Sequence, residues 1–382
     1  MICNQLSSFG RHAKSVRATH FILNSPPRFA KEHPMQNGSD RFAAQALKFI
    51  DLFCGIGGFR QAMENLAREH GVATECVFSS DIDEDCRASY AANFGHAPAG
   101  DIKKVHEKDV PSHDLLLAGF PCQPFSIIGH MRGFDDTRGT LFFDIARILN
   151  AQKPRAFVLE NVKLLVGHNK GQTLKRILET IRDLGYDCQY RVLNALDFGL
   201  PQKRERVFIV GYRPGIHFEW PKGGARMKPL REVLEREVDR KHYASDHIRN
   251  RRWSVLQPTR EPTIWHENKA GHVSAYPFSC ALRAGASYNY LLVNGERRLT
   301  PREMFRLQGF PDTYKIISTD SQARKQAGNS VPVPVVQAVI RAVCEAHGWL
   351  PKNTNGHANL NIYGRSKAAP ADGRKVRTAL SA

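Results

Sequence analysis

The sequence predicts an α/β fold, an open sheet covered by helices, with a smaller irregular domain set into it. Three observations carry this reading. From residue 47 onward, short apolar runs of strand length alternate with longer amphipathic stretches, the rhythm of a parallel α/β sheet. A glycine turn at 55–58 follows the first run, and Asp81 closes the second, at the edge where such sheets take ligands. Over residues 212–297 the rhythm stops, and it resumes near residue 301.

Residues 1–46 are basic, rich in Ser, Pro and Asn, and without clean periodicity. Arg11, Lys14, Arg17 and Arg28 precede the first acidic residue, Glu32, which gives the segment a faint likeness to a transit peptide. A flexible extension is the simpler reading, and Met35 is an alternative start of translation. The first strand is expected over 49–53, followed by the turn and a helix over 59–69. Glycines at such a turn let backbone approach a ligand closely. The second strand, 76–80, delivers Asp81, where a carboxylate commonly takes ribose hydroxyls. Ile82 is placed to lie against a flat purine, and Asp101 to pair with its amino group. The turn is not Gly-x-Gly-x-x-Gly in register, which counts against a dinucleotide.

The run Leu115, Leu116, Leu117, Ala118 is short enough for a buried strand and ends at Gly119 and Pro121. It leads into Gly-Phe-Pro-Cys-Gln-Pro-Phe-Ser, residues 119–126, where prolines restrict the backbone on both sides of Cys122. Alone, this cysteine reads as a small buried hydrophobe in a tight turn. The polar, glycine-punctuated stretch 126–140 suits a loop that closes over a substrate. A helix is expected over 141–151. A short buried strand, 156–159, then carries Glu160 at its C-terminal end. A helix over 173–184 and a strand over 189–196 follow. Arg204 and Arg206 lie two apart on an extended segment and share one face, suited to a phosphate or a carbonyl.

The irregular region holds Trp220, Trp253 and Trp265 among many Arg and His, and the run Arg249-Asn-Arg-Arg252 beside Trp253 suits nucleic acid. A helix is expected over 302–308, stopped by Gly309 and Pro311. A last helix is expected from 327–330 through about 346. The drawn boundaries are 1–46 (basic extension), 47–215 (first domain), 216–300 (irregular domain), 301–350 (return to the first domain) and 351–382 (disordered basic tail).

The 382 residues leave room for two domains and a substantial core. A net charge of +18 and a sequence pI of 9.7 favour a polyanionic partner. The 8 cysteines form no Cys-x-x-Cys pair and no cluster at zinc spacing, so a reduced, intracellular, metal-free protein is expected. No stretch reads as long and apolar enough to span a membrane.

Six segments stand in a set order: Phe49-Ile-Asp-Leu-Phe-Cys-Gly-Ile-Gly-Gly58, the Pro-Cys-Gln segment, Glu160-Asn-Val, Gln202-Lys-Arg-Glu-Arg206, Arg302-Glu-Met-Phe-Arg-Leu-Gln-Gly-Phe-Pro311 and Gly328-Asn-Ser330. Together they resemble the cytosine-C5 DNA methyltransferases, especially the compact bacterial enzymes of restriction–modification systems, over roughly residues 47–345. The resemblance implies a Rossmann-like S-adenosylmethionine-dependent methyltransferase domain with a smaller, irregular target-recognition domain. It implies Cys122 as nucleophile, Glu160 as acid, and Arg204 and Arg206 in the catalytic set. For the cofactor it implies Phe53, Gly55, Gly57, Asp81, Ile82, Asp101, Pro121, Leu141, Asn329 and Ser330. For DNA it points to Ile128, Arg138, Arg251 and Arg252. The expected enzyme is a bacterial cytoplasmic, nucleoid-associated monomer that acts on double-stranded DNA, has no membrane contact, and works alongside a separate cognate restriction endonuclease. Two alternatives stand beside it: a tRNA cytosine-5 methyltransferase of the same fold, and a non-catalytic DNA-binding regulator. The full region between Arg206 and Arg302 favours duplex DNA over the first. Intact Cys122, Glu160 and Arg204 count against the second.

Overall fold

The computed structural model describes residues 46–121 and 141–351, which lie within one compact unit. Residues 1–45, 122–140 and 352–382 lie outside the described residues, and with them Cys122, Ile128, Arg138, the 126–140 loop, all but the last residue of the basic extension and all but the first of the tail.

The first half alternates as its pattern requires: β1 (Leu47–Leu52), α1 (Gly58–His70), β2 (Thr74–Ser80), α2 (Glu84–Phe94), β3 (Leu115–Gly119), α3 (Leu141–Gln152), β4 (Ala156–Val162), α4 (Gln172–Asp183) and β5 (Asp187–Asn194). A two-residue β6 (Gln202–Lys203) and β7 (Glu205–Tyr212) follow. The main sheet runs β2-β1-β3-β4-β7-β5. Side chains alternate across its strands, so each strand contributes to two cores. Phe49, Leu115, Leu117, Val158 and Val210 pack on one face with Phe59, Met63 and Leu66 of α1. Ile50, Leu116, Phe157, Leu159 and Ile209 pack on the other with Ile145 and Ile148 of α3 and Ile177 and Ile181 of α4. Leu115, Leu116 and Leu117 are wholly buried, each worth about 1.5–3 kcal/mol in transfer free energy. Continuous apolar runs of this kind belong to strands covered on both faces.

The sheet is mixed, where the chain's rhythm predicts a parallel one. β1, β2, β3 and β4 are parallel, whereas β7 pairs antiparallel with both β4 and β5. Only a short connection, with one turn of 3₁₀ helix at Ala195–Asp197, joins β5 to β7, too little chain for a parallel crossover.

Residues 213–300 carry α5 (Asp246–Trp253), β8 (Ile264–Glu267), β9 (Val273–Tyr276), β10 (Ser279–Cys280) and β11 (Leu291–Val293). A separate small sheet runs β11-β8-β9, while β10 docks parallel on β6. The chain then returns through α6 (Pro301–Leu307), α7 (Asp320–Asn329) and α8 (Val333–Ala346). Thr300 and Glu303 form a capping box with Pro301 in the first turn of α6.

The expected last helix beginning at 327–330 is corrected to two helices. Thr319 and Gln322 cap α7, residues 327–329 end it, and Ser330 and Pro332 are extended before α8. Pro332 forces this break, because a proline holds the residue before it out of helical geometry. The span Asp320–Ala346 is long and apolar enough by composition to cross a membrane, but it is this broken pair, and its most apolar window is 78% buried. α8 packs on α1, where Asn65 donates to the Gln337 carbonyl oxygen at 3.1 Å and Gln337 donates to Glu69 at 2.7 Å.

Candidate active site

A cavity of about 740 Å³ opens at the C-terminal ends of β1, β2, β3 and β4, well within the range of ligand sites. The strand ends bring residues far apart in sequence to one edge. Phe53, Gly55, Asp81, Ile82, Asp101, Pro121, Leu141, Glu160, Arg204, Arg206, Asn329 and Ser330 all line it.

Gly57 is the exception among the expected cofactor residues, because Gly58 takes the place on the wall. Gly57 has φ +81°, and a Cβ there would meet the Phe94 ring at 2.2 Å, so this glycine shapes the turn from behind. Phe53, just before the turn, is left-handed at φ 54°, a strained conformation that tight surroundings must impose.

Asp81 stands on the cavity wall. Its carboxylate accepts from the Gly55 amide at 2.8 Å and from the Asp83 amide at 2.8 Å. Burial raises its pKa, and these two amides oppose the rise. Ile82 is 71% exposed, an apolar side chain left open on the cavity wall. The Ser80 hydroxyl also lines the cavity, buried and without a hydrogen-bond partner. A free hydroxyl, an open aliphatic face and a carboxylate at the mouth together suit an adenosine-bearing ligand. Asp101 lies on the wall and caps its own short turn, accepting from the Lys103 amide at 3.0 Å.

Glu160 stands on the same wall. The antiparallel register sets Glu160 opposite Phe208 and Val162 opposite Arg206, so Glu160 and Arg206 are diagonal neighbours on one face. Their side chains form an ion pair at 3.0 Å. Burial raises the Glu160 pKa, with Arg206 and then Arg204 pulling against it. Asn161, from the same triplet, donates to the Phe120 carbonyl at 2.9 Å and fixes the chain just before Pro121.

Arg204 differs from expectation. It lines the cavity beside Arg206 but is 1% exposed, and its guanidinium donates to the carbonyls of Leu282, Gly328 and Ser330. Those bonds direct it to backbone, not to a base or a phosphate. Arg252 is corrected outright. It is 1% exposed and donates to Glu267 and to the Asn289 carbonyl, so it cannot reach a phosphate. Arg251 is exposed on α5 and pairs with Glu267.

The sequence reading missed Cys54, Asp83, Gln326 and residues 282–285 on the cavity wall. Asn161 stood in plain view in its triplet, whereas nothing local marks 282–285. Among the described residues no group of His, Cys, Asp and Glu could hold a metal, and all six cysteines are free.

The profile of the C-5 cytosine-specific DNA methylases matches residues 47–345. The chain belongs to the C-5 cytosine-specific DNA methylases. The chain is 53% identical to the type II methyltransferase M.NgoBI of Neisseria gonorrhoeae over 84% of its length and 99% of that protein's. It is 52% identical to M.HaeII of Haemophilus aegyptius, over 76% and 91%. Among solved structures, the Dnmt2 methyltransferase of S. pombe matches with a TM-score of 0.60 at 22% identity, covering 79% of this chain and 99% of that one. A DNA modification methyltransferase encoded in an E. coli prophage matches at 0.56 and 20%, covering 79% and 100%. These structural likenesses show the fold.

This methylase is a DNA cytosine-C5 methyltransferase that uses S-adenosylmethionine. Asp81 and Glu160 both line the one cavity. Asp81→Ala is expected to weaken S-adenosylmethionine binding by roughly 1.5–3 kcal/mol, the worth of a charge-assisted hydrogen bond. Cofactor-independent DNA binding should stay largely intact. Calorimetry showing unchanged cofactor affinity would remove Asp81 from the site.

Proposed function

We propose that this enzyme methylates one cytosine of a short specific duplex site and so protects host DNA in a type II restriction–modification system. The relatives named type II methyltransferases support that role. A separate cognate endonuclease would cut the unmodified site. In this reading the protein is a monomer of the bacterial cytoplasm, associated with the nucleoid and without membrane contact. Residues 47–215 and 301–350 form the catalytic and cofactor-binding domain, and 216–300 form the target-recognition domain.

The observation that carries the chemistry is the Glu160 carboxyl, buried, raised in pKa and ion-paired to Arg206 in the cavity that Asp81 and the glycine turn also line. Cytosine C5 is a poor nucleophile. Addition of the Cys122 thiolate at C6, with the Glu160 proton held at N3, turns C5 into a nucleophilic enamine carbon. S-adenosylmethionine, when bound, supplies a methyl group on a positively charged sulfur. The C5 proton then leaves to water, the Cys122–C6 bond breaks to restore the thiolate, and the N3 proton returns to Glu160. Arg206 holds Glu160 in place and stands next to the base carbonyl. A stacked base cannot be reached from both sides, so the target cytosine turns out of the helix.

Bisulfite sequencing of plasmid DNA from cells expressing the protein tests this reading. It should show 5-methylcytosine at one shared sequence. Replacing residues 222–297 with those of a relative should move the mark to that relative's sequence, since base-edge contacts specify while phosphate contacts position. Absence of the mark ends the functional reading. An active chimera that keeps the original site places recognition elsewhere.

A further inference from the structure

The turn that carries Gly55 and Gly57 is built from unfavourable backbone. Phe53, Gly55 and Gly57 are all left-handed, at φ 54°, 52° and 81°. A phenylalanine stays in that region only where its surroundings impose it. The helix that follows gives little help, because α1 starts after Gly57 with no side-chain cap and no acidic residue in its first turn. Side chains from distant parts of the chain hold the turn instead. The Gly55 amide donates to Asp81 at 2.8 Å, and the Ile56 carbonyl accepts from the Tyr314 hydroxyl at 2.7 Å. Tyr314 is 3% exposed, and burial raises its pKa, so the phenol keeps the proton it donates.

The phenol is itself fixed in place. Its ring packs against Phe305 and Phe310, with centroids 5.4 and 4.8 Å away. Arg302 donates to the Tyr314 carbonyl at 2.8 Å. Asn93, near the end of α2, takes both backbone groups of the next residue, accepting from the Lys315 amide at 2.7 Å and donating to its carbonyl at 3.0 Å. Phe94, beside Asn93, supplies the ring that a Cβ on Gly57 would meet. Gly55, Ile56 and Gly58 line the cavity, whereas Phe94 and Tyr314 stand behind them and do not. We infer that Tyr314 is a positioning residue for the cofactor, its hydroxyl fixing the Ile56–Gly57 peptide so that the turn keeps the shape S-adenosylmethionine binds. This rests on the reading of Gly55 and Asp81 as cofactor contacts. A turn that holds its binding shape only part of the time binds with an affinity reduced by that fraction.

The test is Tyr314→Phe, which removes one oxygen and keeps the ring. S-adenosylhomocysteine affinity, measured by calorimetry on the full chain without DNA, should fall about 5–30-fold, the effect of leaving a buried carbonyl without its donor. KM for S-adenosylmethionine should rise in step, while kcat at saturation and affinity for a duplex carrying the site found by bisulfite sequencing move less than about threefold. Hydrogen exchange should quicken in the amides of residues 54–58. A variant that melts lower but binds the cofactor as wild type does would make the hydroxyl a stability element and overturn the inference. A variant that does not fold overturns it in the same way, as does an affinity loss with exchange in the turn unchanged. Asp81→Ala, measured alongside, separates two failures. If it weakens cofactor binding and Tyr314→Phe does not, the inference fails alone. If neither does, the placing of the cofactor at this turn fails and takes the inference with it.

Discussion

Duplex DNA with 5-fluorocytosine at the target will become fixed to Cys122 when S-adenosylmethionine is present, and the attachment will survive denaturing electrophoresis. Addition at C6 and methylation at C5 both proceed on this base, but fluorine cannot leave as a cation as the proton does. Elimination stalls and the carbon–sulfur bond persists. Cys122→Ser should trap almost nothing, and its methyl transfer should fall by at least about 10³-fold, the scale on which loss of a nucleophile acts. Peptide mass mapping makes the test sharp, because Cys54 and Cys86 also line the cavity. Burial pushes both of those thiols up, which leaves little thiolate to react. An adduct on either of them, or undiminished trapping by the serine variant, would overturn the assignment of Cys122.

Glu160→Gln should lower kcat by about 10²–10⁴-fold while DNA and cofactor still bind, since a positioned acid contributes on that scale. The pH profile carries the sign. Burial raises the Glu160 pKa, so the proton-bearing form persists to higher pH than for an ordinary carboxylic acid, and activity should fall as pH rises through that pKa. In the glutamine variant this alkaline limb should vanish. Stability follows the same linkage. A carboxyl raised in the folded state contributes stability that is present at low pH and lost as pH rises through the folded pKa. The variant's stability should accordingly lose the pH dependence that Glu160 contributes. A glutamine variant within threefold of wild-type kcat would remove Glu160 from the acid role.

The strand-and-helix order and most of the cavity were legible because local pattern encodes them. The run Leu115, Leu116, Leu117, Ala118 can only be a strand covered on both faces, and Asp81 falls where the second strand must end. What was not legible depends on partners distant in sequence. A hydrophobic run does not state its direction, so β7 reads the same parallel or antiparallel, yet its reversal is what sets Arg206 beside Glu160. The charges of Arg252 and Arg204 suggested surface, and both are buried because Glu267, Asn289, Leu282 and Gly328 arrive to receive them. The division between α7 and α8 was written locally, in the Thr319 and Gln322 cap and in Pro332, and was passed over.

The packing of α8 on α1 also fixes when the enzyme can first work during its synthesis. Asp81 and the glycine turn leave the ribosome early, but Asn329 and Ser330 complete the same cavity from the far end of the domain. At about 5–20 residues per second, the roughly 250 residues between them take on the order of 10–50 s to make. During that interval the side of α1 that carries Asn65 and Glu69 lacks its α8 partner Gln337. The nascent chain therefore carries part of the cavity wall and a helix without its α8 partner until the later segment emerges. The cavity is therefore complete only after Asn329 and Ser330 have emerged and folded onto its wall.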